Sequence, residues 1–132
     1  MSQENAEIVR RSLDAWSRDD IVGWLERAHP DLEFHTSGLY PGIDPVYRGH
    51  AELNRFWTTF REPWESIEVR IHEFREVGEE VVALGTFKAR ARDGMTVERE
   101  AAWVYRIEAG LIVRVDAFGS GSEALEAVGL RE

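Results

Sequence analysis

The sequence predicts an α+β fold in which a curved antiparallel sheet wraps around N-terminal helices. Helical periodicity dominates the first 64 residues, alternating strand patterns fill residues 66–119, and 132 residues suit one domain with one core. Predicted strands of about 12 residues usually belong to a strongly bent sheet. A bent sheet with helices across its mouth leaves a conical hollow, and the predicted order of elements is α-α-β-α-β-β-β-β-α.

The first predicted helix begins at Ser2 and ends near residue 18. Val9, Leu13 and Trp16 recur at i, i+4 and i+7, so they share one apolar face of that helix. Ser2 is a residue type that caps helix N-termini. The spacing therefore predicts an amphipathic helix whose bulky stripe packs against the rest of the domain.

Three further elements precede the long strands. Apolar residues over 21–28 repeat the helical spacing, and Pro30 ends that pattern. Residues 32–36 alternate in polarity and predict a short strand, whereas residues 37–49 hold three Gly and two Pro and predict a loop. Bulky apolar residues at helical spacing over 53–60 predict a third helix.

Alternating polarity then predicts four strands, which turn sequences separate. Asp93-Gly94 is the strongest hairpin signal among these turns. A short final helix follows the last strand, and Gly129 is its predicted C-terminal stop. The predicted strands cover residues 67–71, 81–92, 96–108 and 111–118.

Composition excludes several classes of function. Sixteen Lys and Arg against 25 Asp and Glu give a net charge of −9, so we expect no nucleic acid partner. The chain holds no Cys, which excludes disulfide scaffolds, thiolate zinc sites and cysteine nucleophiles. No run approaches the roughly 18 apolar residues of a membrane span, and the first residues lack a signal-peptide pattern. We therefore expect a cytoplasmic protein with no membrane partner.

The sequence also predicts no cofactor and no metal site. Phosphate-binding loops, dinucleotide fingerprints and Gly-x-Ser-x-Gly elbows are absent from it. A metal site needs three or four converging ligands, and the four His residues do not share a helical face or a metal-binding motif. They are His29, His35, His50 and His72.

Four segments carry a family pattern: Ala-Trp-Ser-Arg-Asp-Asp-Ile at 15–21, Leu-Glu-Phe-His-Thr at 32–36, Tyr-Arg-Gly-His at 47–50, and Val-Tyr-Arg-Ile-Glu-Ala-Gly-Leu-Ile-Val at 104–113. Together they resemble the SnoaL-like branch of the nuclear transport factor 2-like superfamily. The chain also resembles a group of bacterial members of unassigned function. They share Arg-Glu-Pro-Trp-Glu, here at 61–65, and an ending such as Ala-Leu-Glu-Ala-Val-Gly-Leu, here at 124–130.

The resemblance implies a single SnoaL-like domain over residues 1–132, folded as a cone-shaped α+β barrel whose interior is the site. It also implies a homodimer paired through the sheet. The third long strand agrees with that expectation, because both of its faces are too apolar for free exposure to solvent. One face carries Glu100, Ala102 and Val104, and the other carries Arg99, Ala101, Trp103 and Tyr105. The superfamily includes isomerases, epoxide hydrolases, cyclases, dehydratases and non-catalytic binding modules, so the fold alone does not fix the activity.

The resemblance allows the acid–base positions of a ketosteroid-isomerase-like enzyme to be checked in this chain. The general base at the end of the first strand falls on Thr36, the tyrosine of the first helix on Ser12, and the acid of the third long strand on Trp103. None of these residues supplies the required group. Because a threonine cannot take a proton from carbon, this mechanism is not expected here.

Three residues are candidate catalytic groups. A SnoaL-like cyclase uses a His and an Asp inside the cone, and His35 and Asp116 have that chemistry. Arg99 is the candidate for an epoxide-hydrolase-like relay or for an anchor of an anion or carbonyl. The alternatives stay open, because His35 points away from the core if Phe34 points into it. Asp116 can instead pair with Arg114, and Arg99 can belong to a charge pair at the sheet edge.

The predicted function is a small apolar-ligand pocket protein, an isomerase, cyclase or hydrolase that needs no cofactor. The alternative is a non-catalytic ligand-binding or dimeric interaction module, and a titratable side chain inside the pocket would discriminate between them. Aromatic rings line apolar pockets well, although they also fill dry cores. The predicted ligand-binding residues are Thr36, Tyr40, Trp57, Trp64, Trp103 and Tyr105.

Overall fold

The computed structural model describes residues 2–36 and 43–129, which hold four helices and six strands. The helices are α1 (Ser2–Ser17), α2 (Ile21–Leu25), α3 (Gly49–Arg61) and α4 (Gly121–Ala127). The strands are β1 (Ala28–His35), β2 (Val46–Arg48), β3 (Trp64–Val77), β4 (Glu80–Ala91), β5 (Thr96–Glu108) and β6 (Leu111–Phe118). The predicted α+β class is confirmed. None of the described helices is long and apolar enough to span a membrane.

The six strands form one curved, unclosed sheet in the order β2-β1-β6-β5-β4-β3. Four of its five strand pairs are antiparallel, but β1 and β6 run parallel. The expectation of a wholly antiparallel sheet is therefore wrong at this one pair. Parallel neighbours need a long crossover connection, and the chain between β1 and β6 supplies it.

Two local departures from the predicted elements occur around β1. Pro30 does not end a helix but lies inside the strand, where the pairing with β6 shifts register between Ala28 and Glu33. A residue without an N–H is tolerated at such an irregularity. Residues 46–48, predicted as loop, form β2 beside β1, and three residues are too few for an alternating pattern to be visible.

The bend of the sheet has a local cause in β3 and β4. Their register shifts between Ile71 and Glu73, so that His72 is an extra residue on β3. Gly85 lies opposite this bulge, and a β-carbon there would collide with the carbonyl oxygen of Arg70. Glycine is therefore required for the close approach of the two strands, and the bulge increases their bend.

The core lies on the inner face of the sheet, defined here as the face that carries Phe34, Phe87, Trp103, Tyr105 and Val115. The apolar stripes of α1 and α3 pack onto it. The indole of Trp16 on α1 contacts three rings of α3 with centroid separations of 4.7 to 5.7 Å. These rings are Phe56, Trp57 and Phe60. The aromatic stripes predicted from helical spacing thus meet inside the sheet.

The short helix α4 covers part of the opposite, outer face. Val82, Ala102 and Val104 are buried there against Ala124 of α4. The Glu100 carboxylate accepts a hydrogen bond of 2.7 Å from the backbone N–H of Gly121, which fixes the start of α4 on β5. Ala102 and Val104 therefore have a cover within their own chain. The homodimer stays a prediction that rests on the resemblance and no longer on this apolar face.

Candidate functional site

The inner face and the three N-terminal helices α1, α2 and α3 enclose a small apolar cavity. Its volume is about 40 Å³. Trp16 and Trp24 line it from the helices, and Phe34 and Trp103 line it from the sheet. Protein cavities need roughly 10–15 Å³ of such space to hold one water molecule, whereas substrate-sized pockets measure about 300–1,000 Å³. The cavity is thus far smaller than a substrate-sized pocket.

Two hydroxyl groups interrupt the apolar wall. The side chain of Tyr105 on β5 is 3% exposed and that of Ser12 on α1 is 5% exposed. The Ser12 side chain lies next to the Tyr105 hydroxyl, where its hydrogen bond favours the ionised form of the phenol. Burial raises the pKa of Tyr105 far above its ordinary value of 10.0, and the Ser12 bond offsets this only in part. The phenol is therefore neutral at physiological pH, and its O–H group is able to donate a hydrogen bond.

An open groove lies outside the cavity. It runs between α1, the end of α2 and the turn that joins β5 to β6, and its volume is about 1180 Å³. Three residues line both spaces, namely Ser12, Trp24 and Ile112. They form the partition between the groove and the cavity, and the Tyr105–Ser12 hydroxyl pair lies at this partition.

The charges of the groove nearly balance. Five carboxylates and three guanidinium groups line it. Arg106 forms ion pairs with two of these carboxylates, those of Glu79 and Glu108. A surface with this balance does not select strongly for an anion or for a cation. The charged lining residues are Glu4, Glu7, Arg10, Arg11, Glu26, Arg27, Glu79 and Glu108.

The structure places His35 and Asp116 together on the outer face. They are cross-strand partners in the parallel β1–β6 pair, and their neighbours Phe34 and Val115 point inward. The His35 Nε2 atom lies 3.0 Å from a carboxylate oxygen of Glu33. Both side chains are therefore adjacent to each other but separated from the cavity by the sheet, and their catalytic roles stay predictions that the cavity does not support.

Asp116 and Glu33 have arginine partners on that outer face. Arg114 donates two hydrogen bonds of 2.9 and 3.1 Å to the Asp116 carboxylate. Arg48 forms an ion pair with Glu33. The hydrogen bond with His35 and the charge of Arg48 lower the pKa of Glu33. This face thus carries a charge network of Glu33, His35, Arg48, Arg114 and Asp116.

Arg99 shares the inward parity of Trp103 and Tyr105 on β5, as predicted, but its side chain is exposed. It pairs in register with Phe87 near the hairpin end of the strand and does not line the cavity. Inward parity alone therefore does not place a side chain in the interior. None of the described residues that line the cavity is a carboxylate or a histidine with which Arg99 could act in catalysis.

Two of the predicted ligand-binding residues, Trp103 and Tyr105, line the cavity. Thr36 is fully buried, and its hydroxyl donates a 2.7 Å hydrogen bond to the Asp44 carbonyl, so it secures the chain before β2. The indole of Trp57 donates to Asp19 at 2.9 Å, outside the cavity wall.

The remaining two predicted ligand-binding residues lie elsewhere. Trp64 is half-buried at the start of β3, where its ring meets that of Phe87 at a centroid distance of 6.4 Å. It does not line the cavity. Tyr40 lies outside the described residues. Within residues 2–36 and 43–129, no group of three or more His, Asp and Glu side chains is arranged to hold a metal ion.

Most of the residues that line the cavity were not predicted as ligand contacts, and two of them, Ser12 and Trp24, also belong to the partition. Ser12 lies between Val9 and Trp16 on the apolar stripe of α1, and a small polar residue on such a stripe is a signal for a buried hydroxyl. Trp24 belongs to the predicted second helix. Its place at the partition depends on how far α2 extends before β1, which periodicity does not determine.

Comparison with known proteins gives a family and a fold. The profile of the SnoaL-like domain matches residues 9–115. A nuclear transport factor 2-like protein of unknown function from Burkholderia pseudomallei K96243 has a TM-score of 0.80 and 28% sequence identity, over 96% of this chain and 98% of that chain. Comparison of the sequence with curated proteins finds no match.

Two further solved structures show the same fold. TerC, co-crystallised with polyporic acid, has a TM-score of 0.80 at 24% identity, over 95% of this chain and 98% of that chain. A candidate polyketide cyclase from Xanthomonas campestris pv. campestris has a TM-score of 0.79 at 17% identity, over 96% of this chain and 98% of that chain. At such identities the likeness extends to the fold alone.

Proposed function

The chain belongs to the SnoaL-like family, and we propose that it binds a small, mainly apolar molecule between the inner face and the N-terminal helices. The Tyr105 hydroxyl holds a hydrogen-bond acceptor of that molecule, such as a carbonyl oxygen. Aromatic rings of the cavity wall contact its apolar part. The single observation that carries the proposal is the neutral, buried phenol of Tyr105 in an otherwise apolar wall.

Tyr105 has the properties of a ligand contact. A buried phenol that loses its partner costs about 1–3 kcal/mol, so its hydroxyl requires either Ser12 or a ligand atom. The exchange of one partner for the other keeps the group satisfied. A site built to hydrogen-bond a polar atom discriminates against ligands that lack it. This arrangement favours a ligand with a single acceptor and a hydrocarbon body.

Binding without turnover is favoured over an isomerase, cyclase or hydrolase activity. Those reactions need a general base near the reacting atom, with a pKa close to the working pH. Among the described residues of the cavity wall, Tyr105 is the single titratable side chain, and its raised pKa keeps it protonated at neutral pH, so it cannot accept a proton as a general base. The predicted catalytic residues His35 and Asp116 lie on the opposite face of the sheet.

The first experiment looks for a ligand and for its polar atom. Native mass spectrometry of the protein purified from cell extract detects a carried-over small molecule. Isothermal titration calorimetry then compares octanone with octane, which differ in the carbonyl group. We expect octanone to bind more tightly by a factor of about three to ten, which is the value of one hydrogen bond. Polyporic acid, with which TerC was crystallised, is a further probe.

The matched variants are Tyr105→Phe and Tyr47→Phe. Tyr47 is also buried, but its hydroxyl accepts a hydrogen bond from the Asp44 N–H and does not line the cavity. We expect Tyr105→Phe to remove the preference for octanone and Tyr47→Phe to retain it. The proposal is wrong if neither probe nor any carried-over molecule binds the wild-type protein, or if both variants retain the preference equally.

A further inference from the structure

We propose that the indole of Trp24 is the movable wall between the groove and the cavity, and that it sets the length of the ligand the protein accepts. The inference rests on the proposed function, since it concerns how a molecule reaches the same cavity. The cavity of about 40 Å³ is too small for a substrate-sized molecule, whereas the adjoining groove of about 1180 Å³ is not. A substrate-sized ligand therefore reaches the cavity only if the groove and the cavity join into one continuous space.

The three residues of the partition differ in how they are held. Ser12 is 5% exposed within the 16-residue helix α1, and Ile112 is 2% exposed within β6. Both belong to elements that are packed along their length. Trp24 is half-buried and belongs to α2, a helix of five residues with no buried residue. A half-buried side chain at a surface position rotates at lower cost than a fully buried one.

Hydrogen bonds and an ion pair hold the chain at both ends of α2. We therefore expect the Trp24 side chain to move without displacement of the helix. Before α2, the Asp19 carboxylate accepts a 2.9 Å hydrogen bond from Trp57 and forms a 3.0 Å ion pair with Arg61. After α2, the Arg27 carbonyl accepts a 2.7 Å hydrogen bond from the backbone of Ile112. The movement is therefore a rotation of the Trp24 side chain between fixed ends.

The interactions of Trp24 explain why an apolar molecule drives this rotation. Among the described residues, its ring has four aromatic neighbours, at centroid distances from 4.8 to 6.2 Å. Rotation away from these rings exposes apolar surface to water unless the ligand covers it. A hydrocarbon chain covers it, and a charged end is not required, because the charges of the groove nearly balance. The expected ligand is a neutral, elongated molecule with an apolar body.

Linear methyl ketones from butanone to decanone test this inference by calorimetry. Each methylene that is buried tightens binding by about fourfold, so affinity rises along the series until the accessible space is filled. In the wild-type protein we expect the rise to stop at a defined chain length. In Trp24→Ala the partition is open, and we expect the rise to continue over at least two further methylenes. The gain for the longest ketone is then about tenfold or more.

Trp64→Ala is the matched control. It removes another half-buried indole, but one that lines neither the groove nor the cavity. We expect its chain-length limit to equal that of the wild-type protein. An unchanged limit in Trp24→Ala, or the same change in both variants, overturns the role of Trp24 while ketone binding by the wild type still supports the proposed function. Absence of binding in every protein overturns both.

A kinetic measurement on the wild-type protein decides the matter if Trp24→Ala fails to fold. Stopped-flow tryptophan fluorescence records association with heptanone over a range of concentrations. If the wall must open first, the observed rate reaches a plateau set by opening. A rate that rises linearly at all concentrations, with an association constant at the diffusion limit, overturns the inference.

Discussion

Strands β1 and β6 lie side by side, and their two faces have opposite chemistry. Phe34 and Val115 are paired in register on the inner face and line the cavity. The next pair in the same register, His35 and Asp116, lies on the outer face within the charge network. Each strand thus presents hydrocarbon to the interior and titratable groups to the exterior, at neighbouring positions of one backbone.

This difference shows that the chemical type of a residue does not determine on which face of the sheet its side chain lies. His35 and Asp116 are the residues that an acid–base mechanism requires by type, and they are indeed adjacent, but on the side of the sheet without the cavity. The cavity wall holds a phenol whose ordinary role at neutral pH is to donate a hydrogen bond. The interior therefore supports the proposed recognition of an apolar molecule with one acceptor.

The largest expected effect comes from moving a carboxylate across the sheet. Ala117 is 2% exposed and lines the cavity next to the outer residue Asp116. We expect Ala117→Asp to lower the free energy of unfolding by about 3–5 kcal/mol at neutral pH, because the new charge has no partner in the apolar wall. Urea denaturation monitored by tryptophan fluorescence measures the loss.

Asp116→Ala is the control, because it removes a carboxylate from the adjacent outer position. Its ion pair with Arg114 is partly solvated, and such pairs contribute about 0–1 kcal/mol. A loss in Asp116→Ala as large as that in Ala117→Asp would contradict the distinction between the two faces. A hydrated interior would instead leave Ala117→Asp nearly as stable as the wild type.

Much of the fold was predictable because it depends on local signals. The bounds of β5 and β6 agree with the prediction at 96–108 and 111–118, where Asp93-Gly94 and Ala109-Gly110 mark the turns. Gly94 and Gly110 have φ values of +95° and +79°, which favour glycine. The parallel pairing of β1 with β6 was not predictable in this way, because it joins segments about 80 residues apart.

The site was predictable only in part, for a physical reason. Strand alternation gives Trp103 and Tyr105 a common face, and both line the cavity. Alternation predicts the face on which a side chain lies but not how far the buried interior extends along the strand. Arg99 therefore shares the parity of Trp103 and Tyr105 but is exposed. Ala102 and Val104 look like an interface in the sequence because the covering helix α4 is distant from them along the chain.

A smaller effect is expected from Tyr105 at alkaline pH. Burial raises its pKa in the folded protein above the ordinary 10.0, so its contribution to stability is complete below pH 10.0 and is lost as the pH rises further. The loss is at most about 1.4 kcal/mol per pH unit for one proton. We expect Tyr105→Phe to cost about 1 kcal/mol at neutral pH and to lack this alkaline component.

Urea denaturation at several pH values above 10.0 measures the difference between wild type and Tyr105→Phe. Other groups titrate in both proteins, so their contribution cancels in the comparison. We expect the two stabilities to converge as the pH rises. Parallel curves would mean that Tyr105 ionises in the folded protein as readily as in the unfolded chain, and the interior would then not be the dry environment that the cavity wall indicates.

The smallest effect is expected on the outer face, at acid pH. The hydrogen bond with His35, the charge of Arg48 and that of His35 lower the pKa of Glu33 below its ordinary 4.5. A lowered pKa stabilises the folded protein above pH 4.5 and ceases to do so as the pH falls through the folded value. Because this network is partly solvated, the contribution is below about 1 kcal/mol.

Salt distinguishes this outer contribution from the inner one. The Debye length falls from about 10 Å at 0.1 M to about 3 Å at 1 M salt, so surface ion pairs weaken while buried groups are little affected. We expect Glu33→Gln to lose part of the acid-dependent stability in dilute buffer and to match the wild type in concentrated NaCl. Glu76→Gln is the control, at an exposed β3 residue without a described ion pair. We expect it to have the stability of the wild type in both dilute buffer and concentrated NaCl. An effect of Glu33→Gln that persists undiminished in concentrated salt would show that the outer network is shielded from solvent, and the contrast between the two faces of β1 and β6 would then lie in packing alone.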